Sequence, residues 1–399
     1  MRYVFLTLLI GLLAKDIIPL GDRYVVRGVS EGLALAVGIG WLVTRPLIRY
    51  VKRYWMVLAY LATLLLTASV SQRPLFVILQ VMSVVAVVLF FIAYAESVTP
   101  DSDAFRWNRS IVATAFCLTC LASLALLMSR PQLVFEVTPE GNRFRGLFSE
   151  PAMMGAASGL LLGLAVFGSL SCSVRIMGGL AAVPCLYLTG SRTSWGAAVA
   201  GLLVTSILYV KRKRAWTIAI ALSGSLGVLM LIIADFHIAA ETQSRVLRSE
   251  SIGNLSGRTA LWELALKKFW ESPILGYGFT TGSDALTSSM SQTLSTAFGV
   301  TGNSQHPFSL HSGYVQALLD SGTLGACLYL GVIGSALWRV FRYDYDRQYG
   351  AEMYCLVFFT LSNVTDTIIF GAAVSYEVFY WYVSVAALSL VRLGKGNSL

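Results

Sequence analysis

Apolar runs long enough to cross about 30 Å of hydrocarbon recur along the whole chain. That recurrence constrains the fold more than any other feature. In lipid every backbone N–H and C=O must be paired inside the protein, and runs of this length can do so only as helices. Of the 399 residues, 56% are hydrophobic and 13% are charged, where soluble domains carry about 25% charge. The expected fold is an all-α polytopic membrane protein, a single integral membrane domain over residues 1–399. Sliding-window hydropathy gives about twelve transmembrane helices, near 3–20, 25–43, 55–70, 75–95, 110–128, 152–170, 174–190, 194–210, 215–234, 310–338, 352–371 and 375–391. The apolar N-terminus lacks a small-residue cleavage site and reads as an uncleaved first span.

Cytoplasmic loops hold the excess of Lys and Arg. With twelve spans, one set of loops collects Arg45, Arg49, Lys52, Arg53, Arg106, Arg109, Arg175, the run Lys211-Arg212-Lys213-Arg214, and Arg339, Arg342 and Arg347. Both termini are then cytoplasmic. Two excursions face outward: a first outer loop at 129–151 and a large one at 235–309, between the ninth and tenth spans. The net charge of +9 follows from this topological bias and gives no reason to expect nucleic acid. The six cysteines lie in spans or at a cytoplasmic edge, so no disulfide framework is expected. The chain has no Walker or GxGxxG phosphate loop and no metal-ligand spacing. It therefore does not read as an ATP-driven pump, and no metal or other cofactor is expected.

The large outer loop carries an amphipathic helix over 258–270, with Trp262 and Trp270 suited to a membrane interface. Pro273 and the glycines of PILGYG end it. The Ser/Thr/Gly-rich stretch 280–304 is expected to be a mobile lid.

Three outward positions point to chemistry. Arg192, in LTGSRTSW, is the polar break between two spans. Arg258 opens the amphipathic helix, and His311 stands at the start of the tenth span. A helix N-terminus disfavours imidazolium, so His311 is expected to stay neutral, as a general base must. The arginines offer forked, permanently charged donors for phosphate oxygens. Taken singly, each has a plainer reading. Arg192 can snorkel to headgroups, Arg258 can be a helix-flanking charge, and His311 can cap or pack. What favours chemistry is that all three fall on one side of the membrane.

Arg143, Arg145 and Glu150, in GNRFRGLFSEPAMMG, either line a glycan or phosphate path or meet headgroups. Asp320, nine residues after His311, falls on another face and reads as a structural hydrogen-bonding residue. Asp366 and Glu377 are left without a role.

Four segments in order, RFRGLFSEPAMMG (143–155), LTGSRTSWGA (188–197), SGRTALWELALKKFWESPILGYGF (256–279) and HSGYVQALLDSGTLG (311–325), resemble the O-antigen ligase and O-antigen polymerase superfamily of bacterial envelope glycosyltransferases. The resemblance implies a metal-independent, inverting enzyme of the bacterial inner membrane, acting at the periplasmic face. The donor would be a glycan on undecaprenyl pyrophosphate. The acceptor would be another glycan or the lipid A core, with membrane lipids and other polysaccharide-assembly proteins as partners. By the same resemblance Arg192 and Arg258 would hold the pyrophosphate, and His311 would activate the acceptor hydroxyl. Where many relatives have His-Asn this chain has His311-Ser312, and where some ligases carry a second histidine it has Leu310. Those departures and Glu150-Pro151 favour repeat-unit polymerisation of an O-antigen or exopolysaccharide. Ligation to lipid A core of lipopolysaccharide is the alternative. A carrier or flippase for lipid-linked oligosaccharide and a non-catalytic assembly scaffold are readings from other classes.

Overall fold

The computed structural model describes residues 23–44, 47–97, 103–138, 141–209, 258–287, 309–343, 349–367 and 375–390. The expected spans at 3–20 and 215–234 lie outside the described residues. The main helices are α1 (Arg23–Val43), α2 (Leu47–Leu66), α3 (Pro74–Ser97), α4 (Asp103–Ser129), α5 (Pro151–Phe167), α6 (Cys172–Leu188), α7 (Arg192–Tyr209), α8 (Arg258–Phe269), α9 (Gly313–Tyr343), α10 (Gly350–Thr365) and α11 (Ser375–Ser389). Among the described residues, Pro74–Ser97, Trp107–Ser129 and Gly313–Arg342 are long and apolar enough to cross a membrane. Gly28–Val43, Pro151–Phe167 and Cys172–Leu188 are shorter apolar helices. The protein is an integral membrane bundle.

Glycine lets the helices approach closely, as in other membrane bundles. In α5, a Cβ at Gly159 would strike the Phe358 ring of α10 and one at Gly163 the Tyr354 ring. The Tyr354 hydroxyl donates to the Gly159 carbonyl at 2.7 Å, so the contact is fixed in register as well as depth. A buried pair, Arg109 Nε to Glu352 Oε1 at 3.3 Å, joins α4 to α10 at the far end from His311. There too Arg53 and Tyr54 of α2 both bond Glu96 of α3.

Two features depart from the expected all-α fold of uninterrupted spans. Within 129–151, Phe135–Thr138 and Gly141–Phe144 form an antiparallel hairpin, with Phe135 opposite Phe144 and Glu136 opposite Arg143. Alternation of apolar Phe135 with charged Glu136 suits a half-buried strand pair, and Phe144 and Phe148 are fully buried beneath it. The tenth span is not one continuous helix. It breaks at Gly322, whose backbone (φ 63, ψ −169) only glycine adopts without strain.

A break inside a span frees main-chain groups that lipid cannot satisfy, so other protein backbone must reach them. The segment after α8 does so. Tyr277 and Gly278 N–H donate to the carbonyls of Leu319 and Asp320, both at 3.0 Å, while Thr323 N–H reaches Pro273 O at 2.7 Å and Leu324 N–H reaches Ile274 O at 3.3 Å. A Cβ at Gly276 would collide with the Leu319 carbonyl, and one at Gly322 with the Ile274 carbonyl. Main chain lies directly on main chain here.

Candidate active site

These four backbone bonds form a latch that fixes α8 and the segment after it against the half of α9 that precedes Gly322. Leu261 and Ala265 of α8 pack with Leu286, Leu310 and Leu319 in a small core separate from that of the bundle. Trp262 Nε1 donates to the Leu310 carbonyl at 2.8 Å, so this tryptophan is a tie within the protein. Leu310 is fully buried, and its N–H donates to Gln316 Oε1 at 3.2 Å. It packs and ties where some ligases have a histidine. Ser312 caps α9 by accepting from Val315 N–H at 3.5 Å, a duty that asparagine performs as well.

His311 lies just outside the cap in the left-handed region, φ 51, with its N–H on Ser309 Oγ at 3.1 Å. Ser309 Oγ in turn donates to the Thr367 hydroxyl at 2.8 Å, which sets His311 beside the end of α10. Burial pushes the imidazole below the ordinary histidine range, and the Arg258 guanidinium adds to that. The Asp366 carboxylate opposes the shift, and Arg143 again lowers it. Histidine, two arginines and an aspartate thus share one electrostatic neighbourhood.

The end of α10 is the hub of that neighbourhood. The Arg258 guanidinium donates to the Thr365 carbonyl, a fitting partner for a cation because helix C-termini carry partial negative charge. The Thr365 hydroxyl meets the Thr193 hydroxyl at 2.7 Å, which brings the N-terminus of α7, and hence Arg192, to the same place. Asp366 O accepts from Gly313 N–H at 3.1 Å, and the Thr367 hydroxyl accepts from Ser309 Oγ at 2.8 Å. Arg192 itself is exposed. Arg143 Nε donates to the Thr189 carbonyl at 3.3 Å, which ties the hairpin to the turn that precedes Arg192.

The other two expected path residues lie between the hairpin and α5. Arg145 bonds back to Leu133 O within its own loop at 3.5 Å. Glu150 is exposed at the N-cap position of α5, with Pro151 in the first turn. Asp366, left without a role in the sequence, enters the site, and so do Thr193 and Thr365. Asp320 is structural: its carboxylate accepts from Thr280 and Gly282 N–H at 2.9 Å each and from Gln316 Nε2 at 2.8 Å. That corrects the expected lid in part. Residues 280–287 are held by Asp320, by the Ser71–Thr281 hydroxyl contact at 3.0 Å and by the Arg73–Asp284 pair at 3.4 Å. The rest of the expected lid, residues 288–304, lies outside the described residues. Glu377 is buried in α11, and Trp381 Nε1 donates to it at 3.5 Å.

The fold and the site define an integral membrane protein with a cationic, histidine-bearing cluster at one end of its helical bundle. Residues 177–330 match the Wzy_C family model, described as O-antigen ligase. That match supports the resemblance to the O-antigen ligase and polymerase superfamily, a family of ligase- and polymerase-type glycosyltransferases. The matched stretch contains Arg192, Arg258 and His311, while the hairpin arginines and Asp366 fall outside it. No curated protein matches the chain.

Proposed function

We propose that the chain transfers a glycan from an undecaprenyl-pyrophosphate donor to a sugar hydroxyl at the periplasmic face of the bacterial inner membrane. The observation that carries this reading is the meeting of His311, Arg258, Arg143 and Asp366 in one neighbourhood, with Arg192 brought in through the Thr193–Thr365 contact. His311, neutral at physiological pH, takes the proton of the acceptor hydroxyl as its oxygen attacks the anomeric carbon. The bond from that carbon to the pyrophosphate oxygen breaks with inversion. Arg192 and Arg258 stabilise the charge that collects on the leaving pyrophosphate. No metal takes part. Arg143 extends the positive surface toward the hairpin, and Asp366 positions and polarises the imidazole.

The pH profile tests the roles around the base. Only neutral His311 is competent, so the acid limb of the rate follows its pKa. Asp366 raises that pKa and Arg143 lowers it. Asp366→Asn is therefore expected to move the acid limb to lower pH and to reduce the plateau, since a weaker base remains. Arg143→Gln is expected to move the limb to higher pH. Limbs that do not move, measured with purified protein and a synthetic lipid-pyrophosphate donor, would remove both residues from the proton-transfer step.

Within the family the reading is repeat-unit polymerisation, supported by Glu150-Pro151 and by Leu310 where some ligases have a second histidine. Deleting the gene and resolving the surface glycan on a gel decides the matter. A ladder cut to a single repeat on lipid A core indicates a polymerase. Loss of every attached repeat indicates a ligase. An unchanged ladder and unchanged exopolysaccharide would sink both.

A further inference from the structure

From Leu324 inward, α9 presents an exposed apolar stripe through Cys327, Leu330, Trp338 and Phe341. At about 1.5 Å per residue its length is about 26 Å, close to the hydrocarbon thickness. Its inner end has the make-up of a membrane boundary: Trp338 and Phe341 rings lie 6.3 Å apart, and the Arg342 guanidinium sits 5.7 Å from the Trp338 ring. Above Leu324 the stripe stops. No residue from Gly313 to Ser321 is exposed, because α8 and the latch cover that part of the helix.

The covering segment carries its own apolar surface. Leu266 and Trp270, four apart, share a face, and Ile274 follows them; they are 42%, 74% and 69% exposed. Ile274 is bonded through its carbonyl to Leu324, the first residue of the α9 stripe, which joins the two surfaces. The charges beside the patch cancel in pairs. Lys267 Nζ lies 2.8 Å from Glu263 Oε1, and Lys268 Nζ lies 2.6 Å from Glu271 Oε2.

We propose that Leu266, Trp270 and Ile274 rest in the outer boundary of the lipid bilayer and continue the lipid-facing stripe of α9. The helix that presents Arg258 at one end is thus moored to the membrane at the other. Its partner is the hydrocarbon edge of the bilayer, and the paired lysines leave no net charge for anionic headgroups to attract. The tryptophan assigned to lipid is Trp270 alone, since Trp262 is engaged with Leu310 O.

The test is site-specific incorporation of a photoreactive diazirine amino acid at position 270, 330 or 260 of the full chain in phospholipid nanodiscs. Position 330 is the lipid-facing reference. Ala260 is exposed on the other flank of α8 and serves as the control. The expected result is a phospholipid adduct by mass spectrometry at 270 and 330 but not at 260. Yield at 270 should be the same in pure phosphatidylcholine and with phosphatidylglycerol added. No lipid adduct at 270, a cross-link there to another part of this chain, or equal labelling at 260 and 270 would each overturn the proposal. A yield at 270 that rises severalfold with the anionic lipid would overturn the apolar assignment. Lipid capture is read without glycan transfer, so its outcome is independent of the enzymatic reading.

Discussion

Asparagine in place of His311 is expected to abolish glycan transfer while leaving the protein folded and at normal abundance in the membrane. Asparagine suits the test because His311 holds a left-handed backbone, φ 51, which asparagine tolerates and alanine does not tolerate well. It keeps size and polarity but has no group that accepts a proton near neutral pH. General-base catalysis contributes about 100- to 10,000-fold, so the rate with a synthetic lipid-pyrophosphate donor should fall by at least about 100-fold. A fall of less than about tenfold, with thermal stability unchanged, would show that another group removes the proton.

The second large effect is expected at Gly322, far from any reacting atom. Alanine there must hold a backbone conformation open only to glycine, which costs about 1–3 kcal/mol. It must also displace the Ile274 carbonyl that its Cβ would meet. Together these should cost about 3 kcal/mol or more and unseat the latch between α9 and the segment after α8. The measurement is thermal unfolding of the detergent-solubilised protein beside its transfer activity. Both should drop for Gly322→Ala. The neighbouring Ser321→Ala, which removes a hydroxyl that bonds only within α9 to the Ala317 carbonyl, should stay close to wild type. A Gly322→Ala protein with unchanged melting and full activity would mean that the break in α9 has no structural role.

The parts of the fold that were legible in the sequence rest on long-range averages. Hydropathy over a span sums many residues, and the helices near 75–95 and 110–128 emerge close to where it puts them. The amphipathic helix was legible for the same reason, since Leu261, Ala265 and Phe269 recur at helical spacing and are the residues it buries. What escaped depends on single atoms. Thr365 takes part through a carbonyl and a hydroxyl, features that no spacing announces. Asp366 looked like any polar residue of an outer turn until the end of α10 was set against His311. The break at Gly322 hid because Asp320-Ser321-Gly322 sits in an apolar run, and window averages pass over one glycine. Composition misread residues 280–287 as mobile. Their small polar side chains leave backbone N–H groups open, and the buried Asp320 carboxylate takes two of them.

The joint between α9 and the segment that follows α8 is written in main chain, through four backbone hydrogen bonds. Its demands on sequence fall mainly on missing β-carbons at Gly276, Gly278 and Gly322. The joint itself therefore asks little of the side chains that flank it, which can change by drift or by design while the helix carrying Arg258 keeps its register beside His311. A seam of this kind holds its geometry while the side chains around it vary.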